Sequence, residues 1–274
     1  MPKICYQPKR FTSEVLNVVE MSERICVSYA ERGYDLTLRQ LYYQLVTRNV
    51  FPNTEQSYKR LGNIVSDARR AGLIDWQHIV DRTRNLRQAG SWDSPAELVE
   101  QASAQYRSRR WEGQSVQVEA WIEKDALAGV LETAADEFSL PFFSCRGYCS
   151  DSEMWSAAVR IMQRAKHQRQ NTLILHLGDH DPSGLDMTRD IRDRLAMFTC
   201  ATPEEVEGEQ IYRLPRMRYF QIKRIALTRE QIEEYRPPPN PAKTTDARFK
   251  AYQDEHGDES WELDALDPET ITEL

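Results

Sequence analysis

Apolar residues recur at helical spacing near the N-terminus. Val15, Leu16, Val19 and Ile25 predict a helix over 11–32, and Gly33 ends it. Asp35 or Thr37 can cap a second helix, from Leu38 to Arg48, and Pro52 breaks the chain after it. A third helix is predicted over 55–71. Tyr58, Leu61, Ile64, Val65 and Ala68 form its apolar stripe, Lys59, Arg69 and Arg70 project from it, and Gly72 stops it. Leu73-Ile74-Asp75-Trp76 and Ile79-Val80-Asp81 are candidates for short strands. Three helices followed by a small β wing make a winged-helix pattern.

The stretch 83–115 is polar and mixed, and reads as a linker with one helix. From 116 the pattern becomes a regular alternation. Strands are predicted over 116–123, 141–146 and 172–178, each followed by a helix, over 124–138, 151–168 and 184–198. A further strand fits 217–226. Such alternation implies an α/β fold, a parallel sheet covered by helices. The expected division is a first domain over 1–88, a linker over 89–115 and a sheet domain over 116–274. Pro237-Pro238-Pro239-Asn240-Pro241 reads as a stiff, extended spacer.

Two acidic clusters follow the apolar runs 116–122 and 172–177. One is Trp121-Ile122-Glu123-Lys124-Asp125; the other is Gly178-Asp179-His180-Asp181-Pro182-Ser183-Gly184. In an open α/β sheet ligands bind at the carboxyl ends of the strands, so Glu123, Asp179 and Asp181 should meet at one rim. Carboxylates about 4 Å apart repel by on the order of 4 kcal/mol per pair at an effective dielectric near 20. A divalent cation would cancel that repulsion, and hard oxygen donors suit Mg²⁺, with Mn²⁺ as the alternative. The same Asp-x-Asp-Pro-x-Gly run is also what an ordinary turn requires.

Charge sharpens the reading. The net charge of −7 looks wrong for a nucleic-acid protein. Residues 253–274, however, hold nine acids and no Lys or Arg, so setting them aside turns −7 into +2. Basic residues cluster elsewhere, with seven Lys and Arg against three Asp between Lys59 and Arg87. Lys59, Arg60, Arg69, Arg70, Arg82 and Arg84 are the candidate DNA contacts, since local patches carry phosphate binding; the alternative is a set of solvated helix faces. The five cysteines are scattered, with no Cys-x-x-Cys pair, and no apolar run approaches a membrane span. With no signal-like start, a reducing cytoplasm is the expected compartment.

On the second predicted helix, Leu38, Leu41 and Leu45 form one stripe. Tyr42 lies about 40° from Leu38 and belongs to the core, whereas Tyr43 lies about 140° away and should point outward, with Arg39 four residues earlier on its face. A tyrosine beside an arginine in a DNA-binding domain is a candidate nucleophile. Only about 0.1% of tyrosine is ionised at pH 7, so attack would need Arg39, a base or a metal to favour phenolate. The alternative is stacking at a domain or subunit interface.

Together these residues resemble the A subunit of type IIB DNA topoisomerases (topoisomerase VI) and the related meiotic double-strand-break transesterase. Arg39-Gln40-Leu41-Tyr42-Tyr43 resembles the family's Arg-x-x-Tyr-Tyr motif, in which the second tyrosine reacts. Val118 to Asp125 is similar to the first strand of a Toprim domain. Arg146-Gly147-Tyr148 resembles the Gly-Tyr after the second strand, and Asp179 to Asp186 the Asp-x-Asp-Pro-x-Gly-x-Asp signature. Trp261-Glu262-Leu263-Asp264-Ala265-Leu266 resembles an acidic-Leu-x-Ala-Leu stretch near the family's C-terminus. The resemblance implies a winged-helix (CAP-like) domain followed by a Rossmann-like Toprim domain. It also implies a homodimer acting on double-stranded DNA, in which Tyr43 of one subunit works with Glu123, Asp179 and Asp181 of the other, with Mg²⁺ on the carboxylates. Glu123 could instead serve as general acid or base, and Arg39 would hold the phosphate. Tyr43 would form a 5′-phosphotyrosyl link, and two offset nicks would make a double-strand break. The short chain without an obvious N-terminal arm resembles stand-alone Mini-A proteins; an ATPase B-type subunit is a partner the resemblance leaves open. A Toprim nuclease using metal-activated water, and a non-catalytic DNA-binding module, are the alternatives.

Overall fold

The computed structural model describes residues 3–80, 91–106, 108, 110–214 and 218–274. Three helices form the N-terminal unit: α1 (Ser13–Glu31), α2 (Leu38–Thr47) and α3 (Glu55–Arg70). Each begins on a threonine. Thr12, Thr37 and Thr54 accept the backbone N–H of the residue three further on, satisfying a donor the helix leaves open. Of the two candidate caps for α2, Thr37 serves, and Gln40 closes a reciprocal capping box with it. Val19, Cys26, Leu41, Leu45, Leu61 and Ala68 pack as the core between these helices.

The expected strand over 73–76 is not formed. Gly72 turns the chain at φ +73°, and Asp75 Oδ1 accepts Gln77 N at 2.9 Å, so local turn bonds take the backbone instead of a ladder. Ile79 makes a single bridge to Leu36, and the second expected strand otherwise runs beyond the described residues. The helix expected in the linker is α4 (Pro95–Ala104).

The sheet unit follows as β1 (Val116–Ile122), α5 (Ala128–Phe138), β2 (Phe142–Ser144), α6 (Asp151–Gln163), β3 (Asn171–Leu177), α7 (Pro182–Thr199), β4 (Thr202–Val206), β5 (Glu209–Arg213) and β6 (Tyr219–Ala226). Strand order is β2-β1-β3-β6-β5-β4; the first four are parallel and the β4–β5 hairpin adds an antiparallel edge. The sequence does not announce this hairpin, because β4 is exposed throughout and lacks alternation. Its Glu207-Gly208 turn has both φ values positive, the geometry that matches strand twist. Alternate strand residues feed two cores. Trp121, Ile174 and Phe220 meet Met154, Ile161 and Leu195 on one face. Ile122 and Leu177 meet Leu127, Leu131 and Leu263 on the other.

The C-terminal part contains α8 (Arg229–Tyr235), β7 (Asn240–Pro241), α9 (Phe249–His256), β8 (Glu259–Ser260), a 3₁₀ turn Leu263–Ala265 and α10 (Pro268–Glu273). It serves both units. Ala265 lies in the N-terminal core, whereas Leu263, Leu266 and Ile271 lie in the sheet's. The proline-rich segment is not a spacer: β7 pairs antiparallel with β8.

One buried charge holds β1 to the helix behind it. Glu119, 2% exposed, accepts Arg160 Nε at 3.0 Å, Arg160 Nη2 at 2.9 Å and Trp121 Nε1 at 2.9 Å, and pairs with Arg164. Burial alone would raise its carboxyl; Arg160, Arg164 and the indole N–H outweigh that and hold it at about 2. A depressed acid stabilises the fold above its unfolded value near 4.5, and that contribution is lost as pH falls towards 2. Glu119→Gln should cost about 3 kcal/mol at pH 7, read by urea unfolding, because it leaves the arginine charges uncompensated. The loss relative to the parent protein should shrink below pH 4.5.

Candidate active site at the carboxyl edge of the sheet

β1 and β3 pair in register, Ile122 opposite Leu177, so the residues that follow them leave the sheet side by side. Glu123 N donates to Leu177 O at 2.8 Å, and Glu123 Oε2 accepts Asp179 N at 2.9 Å. Asp181 caps α7, its Oδ1 accepting Gly184 N at 2.6 Å and Ser183 Oγ at 2.8 Å. Gly184 is required by close approach, not by a positive φ. A Cβ there would lie 2.2 Å from Asp179 O and 3.1 Å from Glu123 Oε2. The three carboxylates named from sequence therefore meet at one rim, and Glu123, Asp179 and Asp181 are all buried.

Burial raises the Glu123 and Asp179 carboxyls above the ordinary range. The Asp181 charge adds to this at Glu123, and the Glu123 and Asp264 charges add to it at Asp179. Two cations offset the crowding. Arg224, from β6, donates to Gly178 O at 2.8 Å and Gly184 O at 3.0 Å, and also to Asp179 O, clamping the loop by its backbone. Lys124 lies 2.9 Å from Asp179 Oδ2, 2.9 Å from Glu262 and 2.8 Å from Asp264. Shared by three acids, Lys124 stays charged, and it partly offsets the rise that burial imposes on Asp179.

Among the described residues no three His, Cys, Asp or Glu side chains stand in a metal-holding arrangement. Asp179 has both oxygens engaged, Oδ1 accepting Leu263 N at 2.8 Å and Oδ2 facing Lys124. Glu123 Oε1 and Asp181 Oδ2 make no hydrogen bond among the described residues, and only Lys243, 4.0 Å away, pairs with Asp181 Oδ2. Carboxylate oxygens are the hard donors that Mg²⁺ takes.

Tyr43 does not point outward as the helical-face argument expects. It is 2% exposed, and its Oη accepts Asn240 Nδ2 at 3.1 Å. The face opposite the leucine stripe is covered by β7 and the 3₁₀ turn, which the periodicity of α2 alone cannot reveal. Burial raises the Tyr43 phenol, Glu262 and Asp264 raise it further, and Asn240 and Arg39 only partly oppose them. Arg39 is half exposed, with Nε 3.3 Å from Glu262 and 3.8 Å from Asp264 Oδ2. A continuous chain of ion pairs thus runs from Arg39 through Glu262 and Asp264 to Lys124 and Asp179. The stretch 261–266 drew attention only by resemblance, Lys124 only as the neighbour of Glu123 in the first cluster, and the roles of Arg224 and Asn240 carried no sequence signal. Tyr148 and Asp186, quoted from two separate motifs, do meet, Oη to Oδ2 at 2.6 Å.

The candidate DNA contacts divide. Lys59, Arg60 and Arg70 are exposed at their side chains, paired with Glu55, Glu14 and Asp67. Arg69 does not project: its Nη2 donates to Ile79 O at 2.9 Å and also bonds Trp76 O, and its guanidinium sits over the Trp76 ring. Arg82 and Arg84 lie outside the described residues. Among the described residues no helix is long and apolar enough to cross a membrane. No protein-family model matches the chain, and no curated protein matches it.

Proposed function

We propose that the chain is a DNA strand-cleaving transesterase of the type IIB topoisomerase A-subunit kind, working as a homodimer on duplex DNA. The observation that carries this reading is the connection of Arg39, on the same helix as Tyr43, to the acidic rim of the sheet through one set of ion pairs. Glu123 and Asp181 would hold Mg²⁺, which would supply positive charge to offset the negative charge that develops in the reaction. Arg39 binds a non-bridging phosphate oxygen and orients the phosphorus. Tyr43 Oη attacks it, the bond to the 3′ oxygen breaks, and a 5′-phosphotyrosyl link forms. The proton the phenol loses is matched by the one the departing 3′ oxygen gains. Lys59, Arg60 and Arg70 on α3 would hold the flanking backbone.

A second reading, a metal-dependent nuclease with water as nucleophile, is favoured by one observation, the burial of Tyr43. The test is an SDS-trapping assay with labelled duplex DNA, with Mg²⁺ or with EDTA. A covalent protein–DNA band that needs Mg²⁺ is expected. Cleaved DNA without a band would replace the transesterase by the nuclease, and neither product would leave a DNA-binding module.

A further inference from the structure

Tyr43 cannot meet a phosphate in the arrangement described, so the question is what covers it and what could move that cover. The cover is a strap from Pro239 to Asp264 that fastens to both units. On the helical side, Asn53 Nδ2 donates to Pro239 O and to Asn240 Oδ1, each at 2.8 Å, and Asn240 reaches on to Tyr43. On the sheet side, Trp261 and His180 exchange backbone bonds of 2.8 and 3.0 Å, and Leu263 N donates to Asp179. Between these ends the strap carries Glu262 and Asp264, which sit on Arg39, on the helix of Tyr43, and on Lys124, at the rim.

A carboxylate and a phosphodiester are alike to a guanidinium or an ammonium: one negative charge on two oxygens. Resting on the transesterase reading, we propose that Glu262 and Asp264 stand in for the DNA phosphate on Arg39 and Lys124, and that duplex DNA displaces the strap to uncover Tyr43. The fit of the stand-in is incomplete. Asp264 is 1% exposed, yet its Oδ2 makes no hydrogen bond and lies 3.8 Å from Arg39. An unsatisfied buried oxygen is costly, so a ligand that satisfies Arg39 better gains by replacing it. Most of the strap's attachments to the helical unit are side-chain bonds of Asn53, Asn240 and Glu262, which a polyanion can outcompete; release of the sheet-side end also withdraws Trp261 and Leu263 from the core they share with Ile122 and Leu177.

Two measurements on the full chain test this. The first needs no DNA: nitration by tetranitromethane, read by peptide mass spectrometry that separates Tyr43 from Tyr42. Tyr43 should react about tenfold more slowly than the exposed Tyr6 in the parent protein, and gain about tenfold in Asn240→Ala/Glu262→Gln. Tyr212, in the sheet core, should stay protected and so report an intact fold; if it does not, Glu262→Gln alone is read in the same way. A protected Tyr43 in a folded variant would overturn the strap as its cover. The second is hydrogen exchange of the Trp261 and Leu263 amides in the parent protein with bound duplex DNA. Acceleration of about tenfold is expected; unchanged or slower exchange would overturn displacement. Failure of DNA to bind at all would overturn the transesterase reading and displacement by DNA with it, while the nitration result would still decide what covers Tyr43.

Discussion

Tyr43→Phe is expected to abolish the SDS-stable protein–DNA adduct while leaving the protein folded. The hydroxyl takes one hydrogen bond, from Asn240, so its loss should cost only about 1 kcal/mol. The ring keeps its place in the core. Tyr42→Phe is the matched control, one residue away on the same helix and just as buried. Its hydroxyl accepts Thr54 N at 2.8 Å and lies 3.0 Å from the carbonyls of Pro52 and Thr54, tying α2 to the start of α3. Removing it leaves Thr54 N with Pro52 O as its partner at 2.9 Å and should cost about 1 kcal/mol, with adduct yield per folded molecule unchanged. Trapping and urea unfolding of both variants separate chemistry from stability. An adduct that survives Tyr43→Phe would remove Tyr43 as the nucleophile.

The elements that bear a strong period were legible from sequence. α1 to α3 fall within a residue or two of the predicted spans, and the four parallel strands were expected with the helices between them. Elements held by tertiary partners were not. The β4–β5 hairpin is a polar edge with no buried face to pattern it. β7 and β8 are two residues each and exist because they pair with one another. The stretch 73–76 has strand-forming residues, but Gly72 and Asp75 spend its backbone on turns.

The site divides in the same way. Glu123, Asp179 and Asp181 were legible because a parallel sheet has one functional edge, and register does the rest. Tyr43's environment was not, since the periodicity of one helix says which face leaves its own core and nothing about a segment about 200 residues later that returns to cover it. Lys124 is similar: the sequence shows it beside a strand-end Glu, and only the return of Glu262 and Asp264 makes it the centre of a charge cluster.

Asp181→Asn should separate the two meanings of the Asp-x-Asp run, which as sequence is equally a turn and a metal site. Asp181 Oδ1 caps α7, and the amide oxygen of Asn can accept the same Gly184 N–H. Stability should therefore stay within about 0.5 kcal/mol. The substitution also removes a like charge facing Glu123 in a buried rim, which acts in the stabilising direction. Mg²⁺-dependent cleavage should fall about 10²-fold or more, since a neutral donor loses the attraction that brings the cation to two carboxylates. Asp181→Ala should lose the cap as well, costing a further 1 kcal/mol or so. A fold held or strengthened while activity collapses is the signature of a group kept at the expense of stability. Mg²⁺ titrations of cleavage beside urea melts give both numbers, and parent-level cleavage by Asp181→Asn would reduce this residue to a helix cap.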